Sequence, residues 1–254
     1  MTPLLADPSA ARRDPPARDS LARVTRDVVA CERCPRLRAW CREVAQVKVR
    51  RFQDEEYWGR PVPGWGDPAA RLLIVGLAPA AHGGNRTGRI FTGDRSGDFL
   101  FAALHRAGFA SQPTSVARGD GLHLIDCYVA AAARCAPPAN RPLPEEIGHC
   151  REYLAREWRL LPRVRAVLAL GKVSQDALVA LLRGLGRVPP RKAFAFGHGV
   201  RHDLGEGLHL FASFHPSQQN TFTGKLTAAG MDTVLADVNR HLGRRGRPAT
   251  RRTS

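Results

Sequence analysis

Short apolar runs alternate with amphipathic stretches along most of this chain. Four apolar runs predict buried β-strands: "RLLIVGLA", "LHLIDCYVAAAARC", "VRAVLALG" and "HLFASFHPS". Apolar residues at helical spacing predict helices in "SGDFLFAALHRAGF", "LPEEIGHCREYLAREWRLL", "KVSQDALVALLRGLG" and "LTAAGMDTVLADVNRHLG", and two more before the first strand. Strands that alternate with helices indicate an α/β fold with a mainly parallel sheet.

Ligands of such sheets bind beyond the carboxyl ends of the strands, which are here "GLAPAAHGGN", "RCAPPANRP", "LGKVS" and "FHPSQQN". His215 follows the last strand, so we expect it at the same edge as the loop from Gly76 to Asp94. A lone histidine there is as often structural as catalytic. The loop begins with alanines, and Asp94 at its far end is also well placed to cap the helix that starts near Ser96.

The two ends of the chain differ from its middle in composition. Residues 1–20 are rich in Pro, Ala, Arg and Asp and are expected to form a flexible arm, and residues 244–254 a basic tail. Residues 21–243 then make up a single domain. The sequence has neither a run of about 18 apolar residues nor the pattern of a signal peptide, so we expect a cytoplasmic protein without a membrane span.

The charge of the chain is strongly basic. It has 39 Lys and Arg against 23 Asp and Glu, a net charge of +16. This balance favours a polyanionic partner, with nucleic acid first and an anionic membrane surface second. The alternative is that basic tails only raise solubility.

Four of the six cysteines form two spaced pairs. Cys31 and Cys34 make a C-x2-C motif before a proline, and Cys135 and Cys150 form the second pair. Four thiolates suit either tetrahedral zinc or a [4Fe–4S] cluster. The nearby prolines, and a second pair that spans a long stretch of chain, favour the cluster. Cys41 and Cys127 are interpreted as small buried hydrophobic residues.

Four motifs in order make the chain recognisable as a relative of a known family. "CERCPRL", "GLAPAAHGGNRTGRIFTGD", "RCAPPANRPLPEE" with Cys150, and "HPSQQNT" together resemble the uracil-DNA glycosylase superfamily. The resemblance is closest to family 5, the iron–sulfur type B branch, and extends from about Val24 to Leu242.

This resemblance implies a three-layer α/β/α sandwich with a central four-stranded parallel sheet, and DNA as the partner. It implies hydrolysis of the bond between a deaminated base and deoxyribose, which leaves an abasic site. It also implies that a [4Fe–4S] cluster with a structural role is held by Cys31, Cys34, Cys135 and Cys150. We expect a monomer that acts on the nucleoid.

The resemblance also implies the site residues. Many relatives carry an acidic or amide residue in the first turn of the loop, where this chain has Ala78 to Ala81, and family 5 is thought to use a later carboxylate, here Asp94. The catalytic candidates are Asp94 to orient water, His215 to donate a hydrogen bond to the leaving base, and Asn140. Phe91 is expected to stack on the flipped base. The substrate-binding candidates are Gly76, Ala78, Pro79, Ala80, His82, Asn85, Phe91, Gln218 and Asn220.

Two features bear on how the DNA and its base are recognised. Ala131 stands where another relative has a base-reading asparagine, which indicates a loose pocket that accepts uracil first and then hypoxanthine, xanthine or ethenocytosine. Gln218 or Gln219 is the expected wedge into the duplex, and a phosphate track is expected along Arg86, Arg89, Arg95 and Lys225. The alternative function is a catalytically weak or inactive damaged-DNA-binding protein of the same fold. The sequence does not favour a nucleotide-binding enzyme, because it lacks the glycine-rich phosphate-binding patterns of that class.

Overall fold

A computed structural model of the protein describes residues 19–189 and 193–244. The expected N-terminal arm and C-terminal tail lie almost entirely outside these residues. At their inner ends, Asp19 pairs with Arg156, Ser20 caps the first helix, and Arg244 pairs with Asp126.

Eight helices and six strands lie within the described part of the chain. The helices are α1 Leu21–Val29, α2 Pro35–Val47, α3 Gly84–Thr87, α4 Arg95–Arg106, α5 Pro144–Leu160, α6 Lys172–Gly184, α7 Gln218–Phe222 and α8 Ala228–His241. The strands are β1 Trp65–Gly66, β2 Leu72–Gly76, β3 Cys127–Ala131, β4 Ala166–Leu170, β5 Arg201–Gly205 and β6 Leu208–Ser213. None of the helices in this part is long and apolar enough to cross a membrane.

The strands form one sheet in the order β1-β3-β2-β4-β6-β5. The four central strands are parallel, which confirms the expected core of the fold. Two further strands, β1 and β5, add antiparallel edges that the sequence did not predict. Neither of these two edge strands has an apolar run that would predict a strand from the sequence. β1 has two residues, and β5 alternates between exposed and half-buried positions.

Successive residues of each central strand pack into opposite cores, which gives the three layers. Leu72 and Ile74 of β2 face one core, which also contains residues of α4 and α8. Leu73 and Val75 face the other core, formed with residues of α5 and α6. The central strands β2, β3 and β4 are fully buried, and β6 is buried except at the half-buried His209, as expected for parallel strands covered on both faces.

Two short helices, α3 and α7, follow β2 and β6 at the carboxyl edge of the sheet. Neither was predicted, because four or five residues are too few to show helical periodicity. Both lie within the segments that carry the candidate site, so the chain turns back at this edge after each of the two strands.

Candidate active site at the carboxyl edge of the sheet

The loop from residue 77 to 94 is held together by one buried guanidinium group. Arg86 donates from Nε to the carbonyl of His82 (2.8 Å) and from Nη2 to the carbonyl of Gly93 (2.8 Å). It also pairs with Glu55 and lies 3.8 Å from the centre of the Phe52 ring. The two ends of the loop are therefore fixed against each other.

Arg89 is also used inside the protein. Its guanidinium group makes two hydrogen bonds to Asp120 (3.0 and 2.7 Å) and one to Ser115 (3.0 Å), and it is almost fully buried. Arg86 and Arg89 are therefore not available to bind phosphates, and the prediction of a phosphate track was wrong for these two residues. Arg95 and Lys225 are exposed and stay candidates for it.

Asp94 is the N-cap of α4, as the capping interpretation allowed. Its Oδ1 accepts a hydrogen bond from the Gly97 amide (2.9 Å). Burial raises the pKa of the Asp94 carboxyl above its ordinary value, and the Gly97 amide opposes this shift. Its other oxygen lies against Gly83, where an added Cβ would overlap it. Capping uses one carboxylate oxygen, so it is compatible with a second role for this group.

His215 and Phe91 face each other across the sheet edge. Their ring centroids lie 5.9 Å apart with an interplanar angle of 33°. The Phe91 ring also packs on Gly76, where an added Cβ would lie 2.8 Å from two ring carbons. The structure therefore brings together three of the predicted residues, one from the end of β2, one from the loop and one from beyond β6.

The imidazole of His215 is kept neutral by its surroundings. Burial lowers its pKa from 6.5 to about 4. Asn220 fixes the backbone here, because its Nδ2 donates to the His215 carbonyl (2.8 Å). Within the described residues the ring itself has no hydrogen-bond partner, so a ring N–H is available to a ligand.

The first turn of the loop offers backbone groups in place of side chains. The amides of Ala78 and Ala80 make no hydrogen bond within the described residues. The Ala80 carbonyl accepts from the amides of Gly83 (3.2 Å) and Asn85 (3.0 Å), which closes the turn. Pro79 is buried against Gly84. Backbone donors thus remain beside Gly76 although the alanines carry no polar side chain.

Three predicted residues lie apart from the Phe91–His215 pair. Asn85 is wholly buried and donates from Nδ2 to the Cys41 carbonyl (3.2 Å), so it fixes the loop to α2. His82 hydrogen-bonds through Nδ1 to the Tyr57 hydroxyl (3.0 Å). Asn140 is exposed, at the end of a short 3-10 turn after Cys135. Asn85 is therefore a structural residue of the loop and not accessible to a substrate, while the role of Asn140 stays a sequence-based prediction.

Helix α7 presents an aromatic side chain that sequence reasoning missed. Phe222 is 69% exposed, with the Arg95 guanidinium 5.5 Å from its ring centre, while Gln218 and Gln219 are also exposed. A groove of about 740 Å³ runs from Phe222 to Asp94 and is lined also by Arg51, Phe52, Arg95 and Val116. The available signal was one aromatic residue within the polar stretch "SQQNTFTGK".

The four predicted ligand cysteines come from separate segments. Cys31 follows α1, Cys34 caps α2, Cys135 follows β3, and Cys150 lies in α5. Burial raises the pKa of Cys34 to about 11, with further contributions from Cys150 and Cys31. The pKa of Cys150 is likewise raised, first by burial and also by Cys31. All are free thiols, and these mutual effects indicate that the sulfurs share one region.

The donor set fits a cluster by its chemistry. No three side chains in the described ranges are grouped closely enough to hold a single metal ion. A cluster of four irons and four sulfides is larger than one ion and separates its thiolates further. Cys41 is closer to this region than expected, since it packs in one buried cluster with Cys34 and Cys135 and its thiol donates to the Ala136 carbonyl (3.5 Å). It is fully buried, as predicted.

The comparisons with known proteins agree with this architecture. A family model described as the uracil DNA glycosylase superfamily matches residues 63–239. The type-5 uracil-DNA glycosylase of Mycobacterium tuberculosis is 51% identical over 217 residues, 85% of this chain and 80% of that protein. That of Thermus thermophilus is 50% identical over 85% of this chain and 95% of that protein. A type-4 enzyme of Pyrobaculum aerophilum is 35% identical over 64% of this chain and 74% of that protein. The chain therefore belongs to the uracil-DNA glycosylase superfamily, within its type-5 family.

Proposed function

We propose that this protein is a monofunctional DNA glycosylase that hydrolyses the N-glycosidic bond of uracil in DNA and leaves an abasic site for base-excision repair. The observation that carries the proposal is the pocket edge formed by Gly76, Phe91 and His215. The Asp94 carboxylate follows three positions after Phe91 in the same loop. Over 85% of the chain, about half of the residues are identical to those of proteins named type-5 uracil-DNA glycosylases, which supports the same activity.

The proposed mechanism needs only a few side chains. Breaking the glycosidic bond builds positive charge on the sugar and negative charge on the base. The Asp94 carboxylate orients a water molecule and opposes the charge on the sugar. His215, neutral because of its lowered pKa, donates a hydrogen bond to a carbonyl oxygen of the leaving base. Phe91 stacks on the flipped base, and the Ala78 and Ala80 amides bind its edge.

The proposed base range is broad. Ala131 ends β3 directly beside Gly76 in the sheet and is fully buried, so no side-chain amide reads the base from this position. Uracil is the first substrate, and hypoxanthine, xanthine and ethenocytosine are further ones. Duplexes that contain each base distinguish a broad pocket from strict uracil selectivity.

The proposed cofactor is a [4Fe–4S] cluster bound by Cys31, Cys34, Cys135 and Cys150. Its role is structural, because these thiols join the α1–α2 corner, the segment after β3, and α5. Metal binding of this kind is coupled to folding. Iron content and visible absorbance of the purified protein test the assignment, and zinc without iron would contradict it.

The proposed partner is duplex DNA bound by a monomer at the carboxyl edge of the sheet, in the nucleoid of the cytoplasm. Arg95 and Lys225 contact phosphates. Gln218, Gln219 or Phe222 fills the gap left by the flipped base, since all three are exposed on α7.

The test of the function is cleavage of a labelled uracil duplex by purified protein, read as strand breaks after alkali. We expect alkali-dependent breaks at the uracil only. Binding of the duplex without breaks would instead identify an inactive damage-binding protein, which the alanines of the first loop turn favour.

A further inference from the structure

The Asp94 carboxylate lies directly against the backbone of Gly83. A Cβ added to Gly83 would overlap Asp94 Oδ2 and lie 2.8 Å from Asp94 Cγ. The φ angle of Gly83 is −107°, so its backbone is not left-handed, but its ψ angle of −101° lies outside the regions that residues with a side chain favour. The glycine therefore provides both space and conformational freedom. Any side chain at this position would therefore compete with the Asp94 carboxylate for the same volume.

The backbone of Gly83 is held in place from several sides. Its carbonyl accepts from the amides of Arg86 (3.0 Å) and Thr87 (2.9 Å) and from the Thr87 hydroxyl (3.1 Å), and its amide donates to the Ala80 carbonyl (3.2 Å). The next residue, Gly84, packs against Pro79. The chain at Gly83 therefore has little freedom to move away from an added methyl group.

The backbone around Asp94 is equally fixed. The Asp98 amide donates to the Asp94 carbonyl (3.0 Å) in the first turn of α4. The preceding Gly93 carbonyl accepts from Arg86, whose Nε also binds the His82 carbonyl. One guanidinium group thus sets the spacing between the segment before Gly83 and the segment before Asp94. The Asp94 side chain is the part that would have to yield.

We propose that Gly83 is a positioning residue for Asp94. Because Gly83 lacks a side chain, the carboxylate keeps Oδ1 on the Gly97 amide while Oδ2 lies over the loop backbone. This inference rests on the proposed function, in which Asp94 orients the attacking water. A methyl group at position 83 would turn the carboxylate away from this geometry, while Phe91 and His215, which lie elsewhere around the pocket, would stay in place.

The test compares Gly83→Ala with Gly184→Ala in single-turnover cleavage of a uracil duplex. Gly184 is the matched control, because a Cβ there would meet no atom within 4 Å. We expect Gly83→Ala to be slower by about tenfold or more, since small misplacements of a reacting group are costly. Its Kd for the duplex should stay within about twofold, as for an independent site. A normal cleavage rate for Gly83→Ala would overturn the inference.

A double variant separates positioning from general damage to the loop. The Asp94→Ala background removes the two carboxylate atoms nearest the added Cβ and leaves only the Cβ of residue 94, at 3.0 Å. Adding Gly83→Ala there should change the residual rate by no more than about twofold. An undiminished further loss there would overturn the inference. If Gly83→Ala alone is insoluble, its recovery as soluble protein with Asp94→Ala supports the steric link, and continued insolubility overturns it. A normal rate for Asp94→Ala alone would contradict the proposed function itself, and the inference with it.

Discussion

Two histidines at opposite ends of β6 show how differently the amino and carboxyl ends of the sheet are built. His209 lies at the amino end of β6, in register with Ala166, and His215 lies just beyond its carboxyl end. The Nε2 atom of His209 accepts from Arg201 (3.0 Å), and its ring centroid is 4.1 Å from that of His241. His215 faces Phe91, and within the described residues its ring has no hydrogen-bond partner.

Both histidines have a lowered pKa, and burial is the main cause in each. Burial is the first cause at His209, followed by the nearby His241 and Arg201, while Asp203 and Asp237 act in the opposite direction. At His215 burial is the only cause, and it lowers the pKa to about 4. A shifted pKa alone therefore does not identify a functional histidine. His215 is identified more specifically, because its ring faces Phe91 at the carboxyl end of the sheet and has no hydrogen-bond partner within the described residues.

The most direct test of this comparison is to remove the imidazole ring of His215 and that of His209 in separate variants. We expect His215→Ala to slow single-turnover cleavage of a uracil duplex by about a hundredfold, the scale for loss of a donor to a developing negative charge. His209→Ala should leave the rate within about twofold, because the two sites are far apart along the strand. Equal losses in both variants would remove the functional distinction between the two ends of the sheet.

A smaller effect, on DNA affinity, is expected from removing an exposed apolar side chain at the carboxyl end of the sheet, and none from removing one at the amino end. Phe222→Ala should weaken binding of a uracil duplex by about tenfold, because stacking of a base on an aromatic ring contributes about 1–3 kcal/mol. Ile125, 47% exposed and just before β3, is the matched control at the amino edge. Fluorescence anisotropy measures both affinities. Equal binding by Phe222→Ala and wild type would take Phe222 out of the DNA surface.

The smallest effect concerns the acid stability of the fold. A histidine with a lowered folded-state pKa stabilises the protein fully above its unfolded value of 6.5, and this contribution is lost as the pH falls. For His215 the loss extends from 6.5 down to about 4. We expect the melting temperature to fall across this window, and less steeply in His215→Gln and His209→Gln. Parallel curves for wild type and variants would contradict the assigned shifts.

The central fold could be predicted because its signal is strong. Three of the four parallel strands are fully buried apolar runs, the fourth is nearly so, and the helices between them carry a clear periodicity. The sheet rule then placed His215 and the 76–94 loop at one edge, and the contact between Phe91 and His215 agrees with that placement. The edge strands and the short helices α3 and α7 lacked such signals.

The arginines of the loop show why the rest was not predictable. In a chain with 39 basic residues, Arg86 and Arg89 resemble any surface cations. Their partners, Glu55 and Asp120, each lie 31 positions away in the sequence, and only the folded chain brings them together. The same holds for Gly83, whose need for space exists only because Asp94 folds back onto it.

The central claim is that Asp94, at the far end of the loop, activates the attacking water. The alanines at the beginning of the same loop carry no side chain that could do so. The most direct measurement is single-turnover cleavage of a uracil duplex by Asp94→Asn, which keeps the side-chain shape and a cap acceptor but removes the charge. We expect a loss of about a hundredfold or more, as for other groups that activate water, with DNA affinity retained. A rate close to that of the wild type would contradict the claim.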